Sequence, residues 1–340
     1  MVQHVKKARV VSQAHARRRS RPVARPLAGK VALVAGATRG AGRGIACMLG
    51  EAGATVYCSG RSTREHPSTT GFYAGRPETI DETAEMVARY GAVGIAVRTD
   101  HLVAEQVEAL VARVRDEQGR LDVLVNDISE GEAHEWKPFW KLSVDKGFRM
   151  LRNALHSHII TCRYAVPLMI ERRGGLIVEI GDGDTLDYRA TLFYDLIKIS
   201  VSRFAYAMAE ELHKHGAAAV AVTPGFMRTE AILESFGVTE ANWREAAENN
   251  PQAKSYGFIG SETPFFVGRA IAALAADPRV LEKSGGLYSS WGLAREYGFT
   301  DMDGSRPDWG RHFDFEQYFK ASSKTGFRWT ISAPGGRAGT

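Results

Sequence analysis

The sequence predicts a single α/β domain with a doubly wound, seven-stranded parallel sheet and helices on both faces. Three observations lead there. From Gly29 onward, short apolar runs alternate with amphipathic stretches, the pattern of repeated strand–helix units that cover a parallel sheet. A glycine-rich stretch follows the first apolar run directly. A chain of 340 residues with 44% hydrophobic content is also long and apolar enough to bury a full core.

The strands are predicted at 30–35, 54–59, 93–97, 121–125, 175–180, 217–222 and 286–289. Between them, helical periodicity is strongest at 41–52, 82–90, 103–118, 148–172, 192–215 and 263–276. No repeat of solenoid length is present. Two stretches break the rhythm. Residues 61–79, rich in Ser, Thr, Pro and Gly, are too many for an ordinary strand–helix connection and too polar for a core, so they read as a lid or a disordered loop. Residues 291–340 carry Pro307, Pro334 and aromatics through Phe327, and are expected to wrap the surface near the site before ending in a loose tail.

The net charge of +5 is not spread over the chain. Lys6, Lys7, Arg9, Arg17, Arg18, Arg19, Arg21 and Arg25 stand in the first 26 residues with no acid among them, and removing these eight charges from +5 leaves −3. Residues 1–28 therefore read as a basic, disordered tail. A nonspecific anionic contact, an organelle presequence or a start codon assigned too far upstream stay open beside that reading. Nucleic acid is not an expected partner of the folded body. Cys47, Cys58 and Cys162 have neither disulfide nor zinc spacing, which points to a reducing, cytoplasmic location and no metal. No uninterrupted apolar stretch of about 18 residues occurs, so no membrane span is expected.

Two motifs carry chemistry. The first strand runs into Gly36-Ala37-Thr38-Arg39-Gly40-Ala41-Gly42, at the place where a doubly wound sheet binds dinucleotides. Glycine suits that turn because it accepts positive φ and lets backbone N–H groups and the positive helix end approach a pyrophosphate. Tyr194 and Lys198 lie four apart on one helix face, so an ammonium can sit near a phenol. A free phenol ionises near pH ~10, and a neighbouring cation is expected to lower that value and make a workable acid/base.

Taken together, Gly36-x3-Gly40-x-Gly42, Asp100, Asn126, Tyr194-x3-Lys198 and Pro224-Gly225 resemble the short-chain dehydrogenase/reductase superfamily over about residues 29–290, leaving 291–340 as a C-terminal extension. The long loop after strand two, the Val125-Asn126-Asp127-Ile128 variant and the extended C-terminus look most like the bacterial subgroup related to dehydrogenase/reductase family member 1. The resemblance implies a Rossmann-like fold and an enzyme that passes hydride between a nicotinamide and a carbonyl or alcohol substrate. Tyr194 would handle the proton, with Lys198 assisting. It also implies that Gly36, Thr38, Arg39, Gly40 and Gly42 hold the cofactor phosphates. Asp100 would meet the adenine, Asn126 would steady the central strand, and Lys198 would also bind the nicotinamide ribose. Pro224, Gly225 and Thr229 would shape the nicotinamide pocket; each of these positions also reads as a cap or turn residue, and the superfamily commonly forms homo-oligomers.

Cofactor choice follows from charge. An acid at the end of strand two would bind the ribose of NAD, but the sequence reads Gly60-Arg61, and Arg39 lies in the glycine turn. Two guanidiniums could clamp a 2′-phosphate, which favours NADP(H) over NAD(H).

One family position departs from the pattern. The usual serine falls on Asp182, twelve residues before Tyr194. Two readings stay open: a protonated Asp182 donates to the substrate oxygen as serine does, or Asp182 is a turn cap and Thr185 or Thr191 supplies the donor. The family asparagine lands at or next to Asn153. His156 and His158 could join a proton relay or be structural. His134, Trp136, Phe139, Trp140, Phe226 and Met227 fall at the carboxyl edge of the sheet, where an apolar or aromatic substrate or simple lid packing would explain them. Because the serine position is altered, a catalytically impaired sensor or scaffold is the rival to the enzyme.

Overall fold

A computed structural model describes residues 25–69, 71–185 and 188–312. Most of the basic tail, together with Phe327 and Pro334 of the C-terminal extension, lies outside the described residues. Seven strands form one parallel sheet in the order β3-β2-β1-β4-β5-β6-β7. They are β1 (Val31–Ala35), β2 (Thr55–Gly60), β3 (Gly94–Arg98), β4 (Val123–Asn126), β5 (Leu176–Ile180), β6 (Ala218–Thr223) and β7 (Leu287–Ser289). All seven fall where the sequence predicts them, shifted by a residue or two, because runs such as Val31–Ala35 are buried along their whole length.

Side chains alternate across this sheet with the period of two that a strand imposes. Ala32, Val34, Val56 and Val125 face one layer of helices, while Val31, Leu33, Tyr57 and Leu124 face the other. The first layer contains α1 (Gly40–Glu51), α2 (Ile80–Arg89) and, later in the chain, the helix Pro264–Ala276. The second contains α3 (Ala104–Gln118), α5 (Ser157–Ile170) and α6 (Leu192–Leu212), with α4 (Val144–Leu151) leading into α5. Gly44 permits the closest approach in the first layer, since a Cβ there would run into the Pro264 carbonyl.

The predicted helix 148–172 is not continuous. It begins earlier, at Val144, because the Ser143 side chain accepts from the Lys146 N–H (3.3 Å) and caps it. It is then interrupted by a π turn at Arg152–His156. Such an extra residue in a helix commonly marks a working part of a protein, and here it aims Asn153 at the loop after β4.

The sequence reading also lacks three short helices after β6, α7 (Glu230–Ser235), α8 (Trp243–Asn249) and α9 (Pro251–Ser255), which gather around Phe258; the helix that follows them, α10 (Pro264–Ala276), falls on the predicted stretch 263–276. Helices of five to seven residues are too short for a 3.6-residue period to register. A further helix, α11 (Ser290–Tyr297), opens the C-terminal extension and packs Trp291 against Trp309 (6.1 Å between rings).

A buried carboxyl ties these late segments to the sheet. Glu262 accepts from the Gly225 N–H (3.0 Å) and from the Ser290 hydroxyl (2.5 Å). Burial pushes its carboxyl up to about 8, against the pull of those two hydrogen bonds. A carboxyl raised on folding contributes stability that is complete below its unfolded value and is lost as pH rises through its folded value. Stability should therefore fall between about pH 5 and pH 8, at up to roughly 1.4 kcal/mol per pH unit from this group. Glu262→Gln should flatten that decline in urea melts; a slope equal to the wild type would contradict it.

Candidate active site

Strand order reverses between β1 and β4, and the crevice beyond their carboxyl ends is where ligands bind in this architecture. The glycine turn lines one side. Gly36 has φ +94°, and a Cβ there would stand 2.5 Å from the Asp127 carbonyl, so only glycine fits. Its N–H and that of Ala37 both donate to the Ser59 carbonyl (3.0 Å each), which fixes the turn against β2. The following helix, α1, has neither a side-chain cap nor an acid in its first turn. Instead, the Gly40 N–H donates to the Glu230 carboxylate (3.0 Å), which also pairs with Arg43 (3.5 Å). A protein carboxylate thus sits at the helix end, and an anionic group such as a dinucleotide phosphate fits the same donors.

The 61–79 stretch covers this turn. Arg39 donates to Glu78 (3.1 Å) and lies over the Tyr73 ring (4.5 Å), while the Phe72 N–H reaches the Gly131 carbonyl (3.3 Å). Burial would raise the Glu78 carboxyl, but hydrogen bonds from Arg76 and Arg39 hold it below its ordinary value. Arg39 Nη2 is buried without a hydrogen-bond partner, and Arg61 is exposed. Thr38 is buried, its carbonyl accepting from Arg43 (3.0 Å).

On the β4 side, Asn126 donates to Glu179 (2.7 Å) and Cys162 (3.2 Å), and Glu179 is bound in turn by His158 (2.6 Å). His158 also contacts the Ile128 carbonyl (3.1 Å), so it belongs to the strand-steadying network, whereas His156 is exposed. Asp100 caps the turn after β3 by accepting from the Leu102 N–H (3.0 Å). Thr229 caps α7 by accepting from the Ile232 N–H (3.3 Å), and the Pro224 carbonyl accepts from the Thr223 hydroxyl (3.0 Å).

Tyr194 and Lys198 project from the first two turns of α6. The Tyr194 hydroxyl donates to Asp182 Oδ2 at 2.6 Å, as their twelve-residue spacing allows. Thr185, the alternative donor, instead accepts from Arg189 (3.0 Å). The ammonium of Lys198 lies 5.2 Å from the centre of the Tyr194 ring and 3.7 Å from Glu130 Oε2. This corrects the expected electrostatics. The phenol is pushed well above its ordinary value by burial in the crevice and by the facing carboxylates of Asp182 and Glu130, so it is held neutral. The lysine, 3.7 Å from Glu130, does not outweigh them. Burial works against the lysine's own charge, yet Glu130, Asp182 and Asp127 raise its value further.

Beyond Asp182, sequence reasoning missed the acids around this pair. Glu130 is 9% exposed, its backbone carbonyl accepts from Asn153 Nδ2 (2.9 Å), and His134 contacts its Oε1 (2.8 Å). Burial opposes its charge, but Lys198 and His134 hold its carboxyl down at about 2. Asp127 is pushed up to about 7 by burial, against the Lys198 charge and the Gly42 backbone. The four-residue Glu130/His134 spacing was a legible signal; Glu230 and Glu262 gave none. Among the described residues no cluster of metal-ligating side chains occurs, and no helix is long and apolar enough to cross a membrane.

A crevice with an anion-ready helix end on one side and a phenol, an ammonium and a carboxylate on the other defines an oxidoreductase that uses a dinucleotide. The chain belongs to the short chain dehydrogenase family, whose profile matches residues 30–236. It is 33% identical over 289 residues to dehydrogenase/reductase SDR family member 1 of Homo sapiens, covering 83% of this chain and 86% of that protein. It is 28% identical over 210 residues to 7alpha-hydroxysteroid dehydrogenase of Clostridium sardiniense, covering 62% and 75%. A short chain dehydrogenase structure from Mycobacterium thermoresistibile superposes with a TM-score of 0.68 at 22% identity, covering 84% and 94% of the two chains. The protein is an enzyme of this family, acting on CH–OH or C=O groups with NAD(P).

Proposed function

We propose that the chain is an NADP(H)-dependent carbonyl reductase in which Tyr194 is the proton donor. The observation that carries this reading is the Tyr194 hydroxyl donating to Asp182 at 2.6 Å beside Lys198, where burial and facing carboxylates push the phenol well above its ordinary value. A bound nicotinamide supplies the hydride. A phenol that rests protonated is ready to give its proton to a developing alkoxide, which suits reduction better than alcohol oxidation. Lys198 balances the phenolate that remains. Asp182 stands in the serine position, 2.6 Å from the phenol oxygen, where its protonated form could donate to the substrate oxygen as serine does. Asn153, set by the π turn, fixes the loop that carries Glu130.

Arg61 and the open Nη2 of Arg39 support a 2′-phosphate site. Arg61→Ala should raise the Kd for NADPH about tenfold while leaving NADH nearly unchanged, as removal of one charge-assisted contact predicts; equal loss for both cofactors would remove the NADP preference. Glu230 occupies donors that a cofactor phosphate needs. Glu230→Gln should therefore tighten NADPH binding several-fold in a fluorescence titration, whereas weaker binding would assign Glu230 a supporting role. Trp136, Phe139 and Trp140, all exposed in the stretch after β4, with Trp136 6.4 Å from the His134 ring, support an apolar carbonyl substrate. Exposed Ile159 on α5 and Leu196, Ile199 and Tyr206 on α6 support a homo-oligomer.

The test is titration with NADPH and NADH by nicotinamide fluorescence, followed by NADPH oxidation against aldehydes, ketones and quinones. Turnover on at least one carbonyl is expected. Tight binding with no turnover on any would instead favour the sensor or scaffold.

A further inference from the structure

We infer that Glu130 and His134 form a proton inlet that reloads the Lys198/Tyr194 pair from solvent. The inference rests on the catalytic reading of Tyr194 above and deepens it. The donor Tyr194 is half-buried in the crevice and a bound carbonyl and nicotinamide would cover it, so each reduction needs a path that brings a proton from water. Lys198 is deep, its side chain 16% exposed, and its ammonium stands 3.7 Å from Glu130 Oε2. That oxygen is buried and carries no hydrogen bond, while Oε1 of the same carboxylate is 2.8 Å from His134 Nε2. The imidazole, 26% exposed, reaches the surface and packs its ring 4.4 Å from that of Tyr194. One carboxylate thus joins a buried ammonium to a solvent-touching imidazole, one oxygen to each.

The loop is built to hold this geometry. Asn153 in the π turn grips the Glu130 carbonyl (2.9 Å), and Gly131 accepts from the Phe72 N–H (3.3 Å). The other charged or titratable groups facing the pair are Asp127 after β4, Asp182 after β5, Arg189 before α6, and Tyr73 with Arg39 from the 61–79 stretch and the glycine turn. Asp127 also feels the His158 imidazole, but that ring is 2% exposed and does not reach solvent as His134 does.

The proton count closes with one proton from water per turnover. Tyr194 gives its proton to the product oxygen, and the phenolate takes one from the Lys198 ammonium. His134, carrying a proton from solvent, passes its Nε2 proton to Glu130 Oε1; the carboxyl group turns about its Cγ–Cδ bond and hands that same proton to the Lys198 amine, and the imidazole is then reprotonated by solvent. Glu130 ends as it began, an anion, which agrees with its strong preference for the charged form. Neither residue contacts substrate; both act through Lys198, as positioning and relay groups.

His134→Ala should lower kcat about tenfold or more, a fraction of what a general acid supplies, with the Kd for NADPH and the KM for the carbonyl unchanged. Added imidazole should restore kcat in a concentration-dependent way, and the solvent deuterium isotope effect should rise. A purely structural histidine would give neither. Glu130→Gln should lose kcat without imidazole rescue. In the cofactor-free protein it should also lower the pH at which Tyr194 ionises, read as phenolate absorbance after subtraction of Tyr194→Phe, because one facing carboxylate is gone. His134→Gln, which keeps the bulk and a hydrogen bond, controls for folding and should behave as His134→Ala without the rescue. Full kcat in His134→Ala, with Tyr194→Phe inactive, overturns the inlet alone; full kcat in Tyr194→Phe overturns the catalytic reading beneath it.

Discussion

Tyr194→Phe should lower kcat by roughly 10²–10⁴-fold, the range supplied by a positioned general acid, while the Kd for NADPH stays within about twofold. The substitution removes one oxygen and leaves α6 intact. Its partner Asp182 is only partly buried and can turn to water, so melting should change little. Loss of activity at constant stability and constant cofactor affinity would isolate the proton step. Asp182→Ala should fall between the wild type and Tyr194→Phe, because the phenol remains but its shared proton and the substrate-oxygen donor are lost. Unchanged turnover in Asp182→Ala would show that the altered serine position plays no part. Steady-state rates with NADPH, paired with thermal melts, distinguish these outcomes.

Lys198→Met should have the largest effect on stability. Lys198 is the principal charge holding Glu130 down at about 2 against burial. Its loss leaves a buried carboxyl that must either stay charged with only His134 beside it or take up a proton, and both cost stability. Breaking a buried ion pair from one side costs about 3–5 kcal/mol, which for a domain of this size lowers Tm by roughly 10 °C. The double variant Lys198→Met, Glu130→Gln should recover much of that loss, since it removes both charges together. The single variant should also lose kcat, and the double variant should not regain it. Recovery of Tm without activity would separate the electrostatic cost from catalysis. A single variant as stable as the wild type would mean that the 3.7 Å pair is not coupled.

These outcomes bear on why some of the site was legible in advance. The sheet was, because a strand buried on both faces writes its apolar run directly into the chain: Val31–Ala35 and Leu176–Ile180 needed no tertiary information. The glycine turn was legible for a similar reason, since Gly36 answers a local backbone demand at φ +94°. The place of Asp182 at the serine position, twelve residues before Tyr194, could also be read in advance, but its hydrogen bond to the phenol could not.

What escaped were contacts made by the folding of distant segments onto each other. Glu230 meets Gly40 across 190 residues, and Glu262 meets Gly225 across 37. No periodicity encodes such meetings. The charge state of Tyr194 escaped for the same reason. From the sequence, a lysine one turn away should lower the phenol. In the folded crevice the loop after β4 and the turn after β5 bring two carboxylates to the same place, and enclosure adds to them.

By itself, then, the sequence determined the layered α/β architecture, the crevice between β1 and β4, and the residues that meet there from within single strand–helix units. Only the tertiary structure decided which acids surround the phenol, which anion waits at the α1 N-terminus, and where the helix before β5 opens into a π turn. The physical reason is range. Backbone geometry and hydrophobic period act between near neighbours, whereas the electric field at a buried group is the sum over every charge that folding has brought close.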